Sequence, residues 1–208
     1  FIMTIRLAVL LSGSGSTLQN LIDRITGKTL DAQISCVIAS RKDAYGLVRA
    51  DKAAIPSYAV PRTDYSTQKD FNAAIWEHLG RHEVDLIVLA GFMHLLEVPP
   101  AFANRIMNVH PALIPAFCGH KMYGNHVHKA VLAYGAKITG ATVHFVDSLY
   151  DHGPIILQDS VPVTPEDTVE SLADRVQALE RELYPKAIAL YAAGRLSVDG
   201  RVVHILPE

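Results

Sequence analysis

The sequence predicts an α/β protein: a Rossmann-like, mostly parallel sheet with helices on both faces and an antiparallel extension in the C-terminal half. Three observations carry this. Short, fully apolar runs alternate with helix-period segments through the first half of the chain. The first apolar run enters a glycine-rich turn that opens a helix. In the second half, two apolar runs flank a polar loop and pair as a hairpin does.

The elements follow in order. Ile5–Leu11 is a continuous apolar strand, buried on both faces as parallel strands are. Thr17–Ile25 places Leu18, Leu21, Ile22 and Ile25 on one helical face. Ile34–Ala39 is a second strand, Ala44–Ala54 a helix, and Ser57–Val60 a short strand. Phe71, Ile75 and Leu79 mark a further helix, and Asp85–Ala90 a strong strand. A short strand, Arg105–Val109, is ended by His110-Pro111, and Val127–Tyr134 is helical. Ile138–Val146 alternates, and Ile155–Val163 answers it across the Asp147–Pro154 loop. Asp167–Ala193 is a long helix that Pro185 should bend. Arg195–Leu206 forms a last hairpin about Asp199-Gly200.

Composition narrows the class. With 208 residues, 50% apolar and 19% charged, the chain buries one sizeable core and is not disordered. No Pro/Gly/Ser-rich linker divides it, so one domain of two lobes is expected, about residues 5–104 and 105–208. A net charge of −2 argues against a nucleic-acid partner. Apolar runs such as Leu86–Ala90 fall far short of the about 20 residues a membrane span needs. Two cysteines, Cys36 and Cys118, are too few for a disulfide framework and fit the cytoplasm. The N-terminal apolar run leads into a turn of the fold rather than a cleavage site, so no leader is read there; Phe1 and Ile2, ahead of Met3, are given no weight.

Three constellations hold chemistry. Ser12-Gly13-Ser14-Gly15-Ser16-Thr17 stands at the carboxyl end of the first strand. Free N–H groups and a helix dipole there suit a phosphate; the same glycines also suit a plain tight turn with Ser16 or Thr17 as helix cap. No Lys follows, so this is no Walker loop, and Leu18 stands where a dinucleotide fingerprint needs its third glycine. Arg41, after the second strand, keeps an NADP reading open. Asn108 and His110 alternate on a strand and so face one space, about 6.6 Å apart. An amide donor and a protonated imidazole make an oxyanion clamp; the same spacing also fits Asn108 on loop backbone and a half-buried His110. Asp147 and Asp151 frame a loop able to bring one carboxylate to a distant histidine and raise its pKa. His144 reads as a structural histidine, Glu180 as a rim acid beside the stripe of the last helix, and His120 and Tyr123 as loop packing. His126-x-His128 has ligand types without an acid or cysteine to complete a metal set. Cys118 has no neighbour to make it a nucleophile.

Together with Leu89-Ala90-Gly91-Phe92-Met93, Asn108-Val109-His110-Pro111-Ala112-Leu113-Ile114-Pro115, Thr142-Val143-His144-Phe145-Val146-Asp147 and Asp151-His152-Gly153-Pro154, the glycine loop resembles the phosphoribosylglycinamide formyltransferases of purine synthesis, over nearly the whole chain. The resemblance implies the formyltransferase fold and catalytic Asn108, His110 and Asp151. It implies a substrate-phosphate loop at Gly15, Ser16 and Thr17, and substrate binding by Gln177, Ala178, Leu179 and Glu180. Folate binding falls to Met93, His94, Leu95, Leu96, Asn108, Asp147, Ser148, Leu149, Tyr150 and Asp151. Ile114-Pro115 resembles a cis-proline site. The implied co-substrate is 10-formyltetrahydrofolate, the acceptor phosphoribosylglycinamide, with no metal, no nucleic acid, no membrane, and a monomer or homodimer. The chain departs from the pattern at His94, where relatives often carry Arg, at Thr17, where many carry Asn, and at Gln68, which aligns with an Arg near the folate tail; Cys118–Gly124 is also atypical. The nearest rival within the superfamily is formyltetrahydrofolate hydrolase; a phosphosugar-binding or NADP-binding protein is a rival of another class.

Overall fold

The computed structural model describes residues Thr4–Pro207; Phe1, Ile2 and Met3 lie outside the described residues. The chain divides into two compact units, with the division between Met107 and Asn108.

The first unit holds β1 (Ile5–Leu11), α1 (Ser16–Thr26), β2 (Ala32–Ala39), α2 (Tyr45–Lys52), β3 (Ser57–Ala59), α3 (Gln68–Leu79) and β4 (Leu86–Leu89). Its strands run in the order β3-β2-β1-β4, and each pair is parallel. β1 is central, which explains its unbroken apolar run: Leu7 through Leu11 are inaccessible to water. Phe71 and Ile75 of α3 are fully buried, and Thr67 caps that helix by accepting the Asp70 N–H. α1 starts one residue earlier than its apolar face suggests. Its cap position is Gly15, left-handed at φ 71°, so neither Ser16 nor Thr17 acts as the cap. A glycine is required there twice over. A Cβ on Gly15 would lie 2.6 Å from the Gly46 Cα, and one on Gly46 would lie 2.4 Å from a methyl of Leu11. The Gly46 N–H donates to the Gly13 carbonyl at 3.1 Å, so α2 seals against the glycine turn.

The second unit holds α4 (Asn125–Tyr134), β6 (Ile138–Phe145), β7 (Ile155–Pro162), α5 (Val169–Ala192), β8 (Leu196–Asp199) and β9 (Val202–Ile205), with β5 (Ile106–His110) entering it at Asn108. β6 and β7 are antiparallel, as are β8 and β9, while β9 lies parallel to β7. His110 belongs to β5 rather than ending it. β6 does not alternate as expected: Thr139 to Phe145 are all buried, because the strand is covered on both faces and α5 packs on it. α5 is capped by Thr168 and Ser171, which satisfy each other's backbone N–H, and runs unbroken through the buried Pro185. Buried Thr142 of β6 donates to the Ala112 carbonyl and accepts from the Ile114 N–H, fixing the chain ahead of the cis Ile114–Pro115 bond. No helix among the described residues is long and apolar enough to cross a membrane.

Replacing Gly15 with Ala adds a methyl against backbone at a left-handed position. We expect a stability loss of about 2–4 kcal/mol, read as a lower urea midpoint at unchanged slope. A midpoint equal to that of the unaltered protein would contradict the close approach of α1 and α2.

Candidate active site

In the first unit, the turn after β1 leaves the N–H groups of Ser16, Thr17 and Leu18 ahead of the first helical bond, Gln19 N–H to the Gly15 carbonyl at 2.9 Å. Ser16 is exposed, Thr17 half-buried and Leu18 buried, at the positive end of α1. Arg49 of α2 braces the turn by donating to the Ser14 carbonyl and the Gln19 side chain, both at 2.9 Å. Beneath it, buried Ser12 accepts the Met93 N–H at 3.0 Å and pairs with Ser40 at 2.7 Å. One hydroxyl therefore joins the glycine turn to the segment Met93–Leu96. In that segment Met93 is exposed, His94 rests edge-on to Phe71, the Leu95 carbonyl takes the Gln68 amide, and Leu96 is buried. Gln68 in turn accepts from Arg62 at 3.2 Å. Arg41 folds onto Asp43 on the surface.

In the second unit, β5 presents Asn108 and His110, and the loop after β6 brings Asp151 to both. Asp151 Oδ2 lies 3.4 Å from His110 Nδ1 and accepts the Gly119 N–H at 2.9 Å. Its Oδ1 lies 3.4 Å from Asn108 Nδ2. Asp151 itself is left-handed at φ 52°. The loop reaches this position because Gly153 has no side chain: a Cβ there would lie 1.9 Å from the Phe145 carbonyl oxygen. His110 Nε2 is 2.8 Å from the Phe117 carbonyl, so that nitrogen carries a proton. A fourth member was missed in the sequence. His144 is buried, with Nε2 3.1 Å from Asn108 Nδ2 and 3.8 Å from Asp151 Oδ1. The signal was present: a polar ring in a strand buried on both faces must find partners for both nitrogens.

Electrostatics here reverse one expectation. Burial pushes His110 below the ordinary histidine range, and the Asp151 charge and the Phe117 carbonyl only partly restore it. Desolvation of the buried ring outweighs the carboxylate, so the neutral imidazole is favoured over the protonated one. Burial also opposes ionisation of Asp151, but the polar groups that face it, among them the Gly119 N–H, hold its carboxyl below the usual range. Cys118 stays a thiol, raised by burial and by Asp151.

The remaining candidates are placed as follows. Asp147 does not reach His110; its carboxylate takes the His152 ring and the Leu149 N–H. Ser148, Leu149 and Tyr150 are exposed on the same loop. On α5, Gln177 and Ala178 are exposed and Leu179 half-buried. Glu180 is half-buried, and lost hydration pushes its carboxyl up to about 7. No hydrogen bond among the described residues ties these four to the Asn108–His110–Asp151 group. His126 lies edge-on to Tyr123, His128 is buried, and no group of three His, Cys, Asp or Glu side chains among the described residues is placed to hold a metal.

In a proton NMR titration, the His110 ring should therefore titrate below 6.5. Asp151→Asn removes the one neighbouring charge that raises it, so its midpoint should move lower still. A midpoint that rises in the variant would contradict this balance.

The formyl transferase family model matches residues 5–188. The phosphoribosylglycinamide formyltransferase of Haemophilus influenzae is 39% identical over 202 residues, covering 96% of this chain and 93% of that protein. The trifunctional purine biosynthetic protein adenosine-3 of Bos taurus is 41% identical over 98% of this chain, which spans only 20% of that longer protein. The crystal structure of glycinamide ribonucleotide transformylase 1 from Symbiobacterium toebii superposes with a TM-score of 0.92 at 44% identity, covering 99% of this chain and 95% of that one. On a family match that runs through both units, the chain belongs to the formyl transferase family.

Proposed function

We propose that this protein transfers the formyl group of 10-formyltetrahydrofolate to the amine of 5'-phosphoribosylglycinamide. The observation that carries the reading is the convergence of Asn108, His110 and Asp151 in a chain similar over 96% of its length to a protein named for this reaction. In this reading the lobe of about residues 5–104 holds the substrate phosphate on the N–H groups of Gly15, Ser16 and Thr17. The lobe of about residues 105–208 carries the chemistry, with Gln177–Glu180 holding the rest of the acceptor. Met93, His94, Leu95 and Leu96, with the Asp147–Asp151 loop, hold the folate.

The neutral amine of the acceptor attacks the formyl carbon, and the carbonyl oxygen takes the negative charge. Asn108 Nδ2–H and His110 Nε2–H donate to that oxygen. A neutral imidazole is a competent donor, and the Phe117 carbonyl occupies the same Nε2–H until the oxyanion replaces it. Asp151 stabilises positive charge on His110 as the amine proton passes through the pair toward N10 of the folate. The bond between the formyl carbon and N10 then breaks, and tetrahydrofolate leaves. The formyl amide is already an activated electrophile, and protein donors meet the charge. The reading carries with it a cytoplasmic monomer or homodimer that acts on small molecules. The rival reading replaces the amine by water.

A spectroscopic assay of tetrahydrofolate release, with and without phosphoribosylglycinamide, separates them. Release that requires the ribonucleotide is expected; release without it would mean hydrolysis, and none in either case would defeat the catalytic reading. His110→Ala removes one oxyanion donor, worth roughly 2.7–4 kcal/mol, so kcat should fall at least about 100-fold. Near-normal turnover in that variant would remove His110 from the mechanism.

A further inference from the structure

We propose that His144 is a positioning residue that sets which way the Asn108 carboxamide faces. The proposal rests on the formyl-transfer reading, because it assigns His144 a task in that reaction. Its geometry stands on two bonds at opposite ends of one buried ring. His144 Nδ1 lies 2.8 Å from the Phe145 carbonyl oxygen. A carbonyl only accepts, so Nδ1 carries the proton, and Nε2 is the nitrogen left to accept. Asn108 Nδ2 lies 3.1 Å from that acceptor. The second neighbour of Nδ2 is Asp151 Oδ1 at 3.4 Å, an acceptor as well. If the carboxamide were turned over, its oxygen would face a lone pair and a carboxylate, both repulsive. Two acceptors therefore fix the NH2 toward the reacting space.

The two amide protons are held unequally, and this gives the arrangement a use. The one on His144 is held by the shorter bond, from a ring that cannot move because it is only 1% exposed and tied to Phe145. The one on Asp151 is held at the limit of hydrogen-bond distance. The Asp151 partner is thus the one that gives way, and its N–H turns to the developing oxyanion while His144 keeps the other. Catalysis then begins from a donor already aimed, with little reorganisation. His144 touches neither substrate; it works through Asn108.

The substitutions separate this from a purely structural histidine. His144→Asn keeps an amide N–H near the Nδ1 position for Phe145 and loses the acceptor at Nε2. Its kcat should fall roughly 10- to 100-fold, with KM for both substrates changed less than about threefold. His144→Gln returns a carbonyl oxygen to the Nε2 position and should recover most of the loss. In an Asn108→Ala background, His144→Asn should cost less than about a further twofold, because the amide it aims is gone. Equal losses in both backgrounds would overturn the proposal. A readout on the unaltered protein covers the case in which the variants do not fold. Nitrogen-15 spectra of the His144 ring should show Nδ1 protonated and Nε2 bare; a proton on Nε2 would overturn the proposal, since that nitrogen could not accept from Asn108. If the unaltered protein fails to release tetrahydrofolate with the ribonucleotide, the functional reading falls, and the ring spectrum still decides the geometry.

Discussion

An ionised carboxylate that has lost most of its water has to be matched by donors, and Asp151 imposes that demand on the whole second unit. Its side chain is 11% exposed. The Gly119 N–H and the Asn108 amide donate to its two oxygens, and His110 Nδ1 lies 3.4 Å from one of them. The elements around it are arranged to allow this. β5 supplies two neighbours on alternating positions, and the loop after β5 supplies the Gly119 N–H. Gly153 lets the loop close against the Phe145 carbonyl, which also fixes the tautomer of His144.

In the proposed reaction, the same carboxylate explains how an imidazole can be neutral at rest and still serve a step that passes through charge. Burial keeps His110 unprotonated, so its Nε2–H is a donor that costs nothing to charge. The carboxylate 3.4 Å from Nδ1 lowers the cost of the proton when it comes. Desolvation and charge pairing oppose each other across one ring, and in the proposed reaction each governs a different moment. A solvated His–Asp pair would have neither property, because water would screen the carboxylate and hydrate the imidazolium.

The first unit answers a different constraint, that of exposing backbone donors without leaving the turn unsupported. Gly15 takes a left-handed conformation in contact with Gly46, and this lets α2 cover the turn while Ser16 stays exposed. Ser12 and Arg49 supply the remaining bonds to the turn, from a buried hydroxyl and a cation bridging loop and helix. The Met93–Leu96 segment is anchored through Ser12, Gln68 and Asn72, so its exposed methionine stands on a fixed backbone.

By itself the sequence determined the order of strands and helices, the buried centre at β1, the glycine turn at a helix start and the pairing of Asn108 with His110, because each is a local pattern of apolar period or residue spacing. Its motifs also pointed to Asp151, across the chain from its partners. Tertiary structure alone decided the rest. That β6 is covered on both faces follows from packing by α5, which no period within Ile138–Phe145 can report. That Asp151 and not Asp147 meets His110 follows from the loop's path past Gly153, while Asp147 is taken by His152. The protonation of His110 and the place of His144 beside Asn108 depend on how much water is excluded and on which acceptors lie within about 3 Å, and both are properties of three-dimensional neighbours rather than of residues adjacent in sequence.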